Sequence, residues 1–384
     1  MFTKSTPNPA RIAPVPPAGR SAGRPRLVAL DGLRLIAALL VVFHHYVGFA
    51  GGPGRDESAW TKPAWVVFPK AENVASYGWV GVELFFIISG FVICMSSWGR
   101  GPGAFFKSRV VRLYPAYWFA VLATTAVLTV WPMVRKPLGL RDTLLNLTMF
   151  QSPFGAESVD AVYWTLWVEM RFYLLFALVV WKGVTYRRVV LFCCLWTIAS
   201  ILVMDGRLPS AEYFAMPEYS SYFIAGMAMY LMYRFRPTAL LWGIVGISWL
   251  FSVHAVSQYS VGLGRWLGRP MYAAPAVLLV TLAYLVMAAL ALGWLDWVRG
   301  RWLTVAGAVT YPLYLLHEHI GWTGIRLLRD RVPAWPLVIG MTLGMVAAAW
   351  LVHRLVERPV ARMLSTRLAA GMADLRERPM DRAA

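Results

Sequence analysis

Charge is what this chain has least of. Only 15% of its 384 residues are Asp, Glu, Lys or Arg, whereas 59% are hydrophobic and 14% aromatic. A soluble domain carries about 25% charged residues, so the polar surface needed in water is missing. Cysteine is scarce too: Cys94, Cys193 and Cys194 all lie in apolar runs. Lone or adjacent thiols supply neither a disulfide framework nor a metal-ligand set, and they read as small buried hydrophobes. No G-x-x-x-x-G-K-[ST] and no H-E-x-x-H is present, so P-loop and zinc-hydrolase chemistry lose their support. No internal repeat is evident, which argues against the duplicated build of many secondary transporters.

What fills the sequence instead is a series of apolar runs, each about 20 residues long and bounded by Gly, Pro and charge clusters. They predict an all-α, polytopic transmembrane helix bundle of about ten spans. The spans fall near 27–49, 78–98, 114–134, 161–181, 188–204, 213–233, 238–257, 273–293, 303–323 and 336–356. Residues 1–26 hold six prolines and five basic residues and read as a disordered cytoplasmic tail. The membrane domain then covers 27–360, and 361–384 is a second cytoplasmic tail. The first apolar run contains Asp31, Arg34, His44 and His45, which a cleaved signal sequence does not tolerate, so it is a retained span.

The net charge of +18 does not indicate nucleic acid, because the basic residues sit in short connections between apolar runs. With the N-terminus inside, the inner segments hold 23 Lys and Arg and the outer ones 12, with Arg34 and Arg171 inside spans. That bias places both termini in the cytoplasm and the bilayer itself among the partners.

Charged and polar side chains inside spans are costly, so each is a candidate for function. Arg34 and His45 are eleven residues apart, which on a helix puts them within about 20° of each other and three turns apart. Asp31 lies one turn before Arg34 and can pair with it, whereas His44 points about 100° away from the seam. His45 is then either a base or a hydrogen-bond partner for a neighbouring helix. Glu83 lies in a second run, Gly81-Val82-Glu83-Leu84-Phe85-Phe86-Ile87-Ile88-Ser89-Gly90-Phe91, as a supporting carboxylate or a structural pair, while Gly81, Ser89 and Gly90 read as packing positions. Arg109 and Arg112 are one turn apart and can converge on one phosphate-bearing ligand, or can face lipid headgroups. Glu169 and Tyr173 share a helix face amid aromatics, suited to a hydroxylated acceptor or to orienting a histidine. Tyr314 lies one turn before His317 in Tyr311-Pro312-Leu313-Tyr314-Leu315-Leu316-His317-Glu318-His319. A histidine near carboxylates, with an arginine pair on the cytoplasmic side, suggests general-base chemistry on a hydroxyl fed by an anionic donor.

These segments together resemble the membrane acyltransferase family 3, bacterial O-acyltransferases of envelope glycans, exopolysaccharides and secondary metabolites. The resemblance covers about residues 27–360. It rests on Leu30-Asp31-Gly32-Leu33-Arg34 with His44-His45, the Gly81–Phe91 run, Arg109-Val110-Val111-Arg112-Leu113-Tyr114-Pro115, Trp164-Thr165-Leu166-Trp167-Val168-Glu169 through Phe172-Tyr173, and Tyr311–His317. It implies a multi-pass enzyme of the bacterial inner membrane that binds no cofactor or metal and uses acyl-CoA, acetyl-CoA above all, as co-substrate. The acceptor would be a hydroxyl of a carbohydrate, a lipid-linked sugar or a small glycosylated metabolite. His45 maps to the base, Arg34, Arg109 and Arg112 to the donor, and Glu169 to the remaining catalytic carboxylate. Asp31, His44, Glu83, Tyr114, Tyr173, Tyr314 and His317 take supporting or acceptor-binding places. Glu83 stands where Asp is commoner in the family, and Met170 replaces a second carboxylate often found beside Glu169. Two rivals stay open: a proton-coupled or lipid-linked-sugar transporter with the same residues as a relay, and a different membrane O-acyltransferase architecture with His317 or His319 as base.

Overall fold

Threonine and glycine punctuate the apolar runs. Thr185 and Thr238 accept the backbone N–H groups of Arg188 and Leu241 at 3.3 Å, each opening a helix. Gly268 closes the second of these in the left-handed conformation, with φ +70°. The structure, a computed structural model, describes residues 27–49 and 59–377. The regular elements among them are all helical.

The principal helices are α1 (Val28–Phe43), α2 (Val80–Ser97), α3 (Pro102–Val130), α4 (Trp164–Trp181), α5 (Tyr186–Met204) and α6 (Ser220–Arg234). They are followed by α7 (Ala239–Leu267), α8 (Ala273–Ala291), α9 (Arg301–Leu316), α10 (His319–Leu328), α11 (Ala334–Val352) and α12 (Arg358–Glu377). Among the described residues, eight helical segments are long and apolar enough to cross a membrane: Val28–Gly48, Glu72–Ser97, Pro102–Val130, Ala161–Trp181, Tyr186–Met204, Ala239–Leu267, Ala273–Ala291 and Ala334–Gly371.

Two expected spans differ from that description. The run at 213–233 yields the 15-residue α6, preceded by short turns, and the run at 303–323 is broken at His317–Glu318 into α9 and α10. The third helix begins at Pro102, twelve residues before the expected edge, so Arg109 and Arg112 lie on the helix itself. The N-terminal tail reading lies outside the described residues, and the segment after 360 continues as helix in α12.

The core is built around α2 and α6. Ser220 through Met232 are buried on all sides, as expected of a helix apolar around its whole circumference. α2 and α6 meet at glycines: a Cβ on Gly226 would collide with the Ile87 carbonyl, and one on Gly90 with the Phe223 carbonyl. Gly81 likewise lets the Ala37 carbonyl of α1 approach closely. The outward faces carry exposed Ile36, Leu195, Leu250, Leu278 and Leu343, apolar groups that suit a hydrocarbon environment.

Candidate active site

Asp31 and Arg34 pair on α1 as their spacing predicts. Asp31 is buried and accepts a hydrogen bond from Arg34 Nη1 at 3.4 Å, with Gly307 of α9 packed on its side chain. After Phe43 the helix widens into a π-helical turn, His44–Gly48, a rare conformation that is frequent at functional sites. The two histidines of that turn part company. His44 is buried and donates to the Ala75 carbonyl at 3.1 Å, which leaves it a structural role.

His45 reaches across the bundle to the break between α9 and α10. Its Nδ1 lies 2.9 Å from His317 Nε2, and its Nε2 lies 3.6 Å from Glu318 Oε1. The proton positions follow from the partners. His317 Nδ1 faces the carbonyl oxygens of Tyr314 at 2.7 Å and Leu313 at 3.2 Å, so it carries a proton. In neutral His317, Nε2 is then an acceptor and His45 Nδ1–H is the donor. The basic lone pair of His45 is left on Nε2, beside the Glu318 carboxylate. The peptide on either side of His45 is held as well: Tyr46 donates to the His317 carbonyl at 2.7 Å and Trp322 Nε1 to the His45 carbonyl at 2.9 Å.

Glu318 is in turn held by the turn that Asp160 caps. The other Glu318 oxygen accepts from Val162 N–H at 3.0 Å. Asp160 accepts from Val162 N–H at 3.3 Å and from His319 N–H at 3.1 Å, so one buried carboxylate caps the turn before α4 and the start of α10 together. Asp160, Glu318 and His319 form a cluster compact enough to surround a cation. Their carboxylates and His319 Nδ1 are, however, engaged with backbone groups, the last with the Val159 carbonyl at 3.0 Å, which fits a tie between two chain segments.

A cavity of about 100 Å3 lies on the Arg34 side of this centre. Arg34, Arg109 and Arg112 line it with Ser89, Glu169, Tyr173, Thr165, Tyr311 and Tyr314. Arg109 is buried, bonded to Ser96 Oγ at 3.3 Å and set over the Tyr173 ring at 5.9 Å, whereas Arg112 is exposed. Glu169 accepts a short hydrogen bond from Ser89. Tyr314 shares a 2.8 Å hydrogen bond with Thr165, and its ring lies 5.7 Å from that of His317. Tyr314 therefore stands between the arginine-lined cavity and the His45 pair.

Several sequence expectations change here. Ser89, read as a packing residue, bonds Glu169 and lines the cavity. The carboxylate at His45 is Glu318 rather than Asp31, Glu83 or Glu169. Tyr114 points out of the cavity, donating to the Thr148 carbonyl at 2.8 Å. Glu83 is buried among Tyr219, Tyr222 and Tyr259 and does not line the cavity. Glu318 had a signal in the sequence, an acid within the 303–323 apolar run. Asp160, just before a span, had none.

A half-buried histidine beside a buried carboxylate lies near an arginine-lined cavity in a helical bundle, an arrangement whose charge suits an anionic group. The sequence profile described as "Acyltransferase domain" matches residues 27–354, and the chain belongs to that family of membrane acyltransferases. The acyltransferase MdmB of Streptomyces mycarofaciens is 25% identical over 89% of this chain and 93% of its own length. Protein 2 in the picA locus of Rhizobium radiobacter is 32% identical over 26% of this chain, and the exopolysaccharide production protein ExoZ of Rhizobium meliloti 33% identical over 29%. Those two matches span 45% and 38% of the relatives' lengths. No solved structure matches the chain.

Proposed function

We propose that this protein is a multi-pass O-acyltransferase of the bacterial inner membrane, with both termini in the cytoplasm, moving an acyl group, acetyl above all, from acyl-CoA to a carbohydrate or glycoside hydroxyl. The observation that carries the reading is the placement of His45, with its proton-accepting nitrogen beside Glu318 and the three-arginine cavity on the other side of Tyr314. Exposed Arg112 meets the donor's phosphates first, and Arg109 and Arg34 continue the positive path inward. The cavity is smaller than the roughly 300–1,000 Å3 of sites that enclose a whole drug-sized ligand. It suits the narrow thioester arm, with the nucleotide remaining outside. That ExoZ is named for exopolysaccharide production supports a carbohydrate acceptor.

In the reaction, the acceptor hydroxyl gives its proton to His45 Nε2 as its oxygen attacks the thioester carbonyl carbon. Glu318 stabilises the imidazolium, and His317 holds the ring in the tautomer that leaves Nε2 free. The C–S bond breaks, the CoA thiolate leaves and takes the proton back from His45, and the products are an ester and a thiol. Arg34, eleven residues before His45, is roughly 16 Å away along the helix axis, about the reach of an extended donor arm.

The direct test is acyl-CoA consumption by the purified protein in lipid nanodiscs with a glycan acceptor. Turnover by the wild type, its loss in His45→Ala and unchanged membrane insertion are the expected results. A protein that moves sugar or protons without consuming acyl-CoA is a transporter, and the reading fails.

A further inference from the structure

One charge inside a span takes no part in the chemistry described above. Arg171 lies in the middle of α4, two residues after Glu169 and two before Tyr173. Both of those line the cavity, so on a helix Arg171 points about 160° away from them, toward the outer wall of the bundle. It shares that wall with Trp164 and Leu178, each seven residues away and within about 20° of it. Trp164, Leu178 and their neighbours Leu174 and Trp181 are all exposed. A cation thus interrupts an apolar stripe of the kind that faces hydrocarbon, where it is costly without a partner.

The Arg171 guanidinium is held but not neutralised. Its carbon lies 5.0 Å from the centre of the Tyr213 ring and 6.0 Å from that of Trp167, and Nη1 donates to the Tyr213 carbonyl at 2.8 Å. Nε is enclosed without a partner, whereas Nη2 makes no bond and is not enclosed. Among the described residues Arg171 forms no ion pair, and Glu218 acts on it only from a distance. The rings attract the cation through its faces, which leaves its N–H edge for an acceptor. Tyr213 belongs to the 205–219 connection between α5 and α6, so the same contacts fasten that connection to α4.

We infer that Arg171 binds the phosphate of an anionic phospholipid seated on the outer wall of α4. A phosphate oxygen accepts from the open Nη2 edge and supplies the negative charge that no carboxylate of the protein brings into contact. The acyl chains then lie along Leu174 and Leu178, exposed apolar groups of the same stripe. A free phosphate gains the first contact and not the second, so the surface selects a lipid. Bound there, the lipid braces the 205–219 connection against the helix whose opposite face carries Glu169. The site lies apart from the donor cavity and does not depend on the acyltransferase reading.

The test is native mass spectrometry of the full chain in detergent with equimolar phosphatidylglycerol and phosphatidylcholine of the same acyl chains. The wild type should retain phosphatidylglycerol in preference, and that lipid should raise its melting temperature more than phosphatidylcholine does. Arg171→Gln keeps a donor for the Tyr213 carbonyl and a planar group over the rings but loses the charge. It should hold phosphatidylglycerol roughly tenfold more weakly and lose the difference in melting temperature. Arg171→Lys, which keeps the charge without the planar fork, should fall between the two. Arg207→Ala removes an exposed arginine of the same connection and should behave as the wild type. Equal retention of the two lipids by the wild type, an undiminished preference in Arg171→Gln, or the same loss in Arg207→Ala would overturn the site. Displacement of the lipid by inorganic phosphate would overturn its assignment to a lipid and leave a site for free anions.

Discussion

At the scale of single residues, the site depends on which atom of His45 carries a proton, and that is decided by a residue 272 positions away. The spacing of Asp31, Arg34 and His45 was readable because helical periodicity is local. The Glu318 contact was not, because it crosses between elements. Glu318→Gln keeps an oxygen to accept from Val162 N–H but removes the charge that offsets the imidazolium. It should lower kcat about a hundredfold with the donor KM unchanged. A variant with wild-type kcat would remove Glu318 from the reaction. His44 illustrates the opposite outcome: adjacent to the proposed base and identical in type, it is occupied by the Ala75 carbonyl.

At the scale of elements, the bundle is set by where helices can approach each other. The α2–α6 contact requires Gly90 and Gly226, since any side chain there meets backbone. Gly226→Leu should destabilise the fold by about 1–3 kcal/mol or more, whereas Gly243→Leu, with open space around it, should be neutral. Thermal unfolding of the two detergent-solubilised variants checks this, and equal melting temperatures would refute the packing account. The packing role of Gly81 and Gly90 was legible from residue size alone. The brevity of α6 was not, because an apolar run reads as a span whether it faces lipid or protein. The break at His317–Glu318 was hidden for the same reason: the residues that open the helix there find their partners on other segments.

At the scale of the whole molecule, the direction in which the bundle crosses the membrane decides which side the arginine-lined cavity faces. The proposed orientation, drawn from the lysine and arginine bias, predicts Lys182 on the cytoplasmic side and Tyr272, which is 73% exposed, on the other. In a background lacking Cys94, Cys193 and Cys194, a membrane-impermeant maleimide should label Tyr272→Cys in spheroplasts, and Lys182→Cys only after permeabilisation. The reverse pattern would invert the orientation and with it the side from which each substrate comes. Taken alone, the sequence determined an all-helical membrane protein, the Asp31–Arg34 pair on α1 and the arginine pair on α3. Those properties follow from apolar run length, helical period and the cost of charge in hydrocarbon, all of which act within about twenty residues. Only the tertiary structure decided that Glu318 rather than Glu169 lies beside His45, that Ser89 faces the cavity, and that Trp266 stacks on Phe49. These are contacts between side chains far apart in the chain, chosen by how closely helices pack and by which buried polar groups find partners, and no local pattern records that choice.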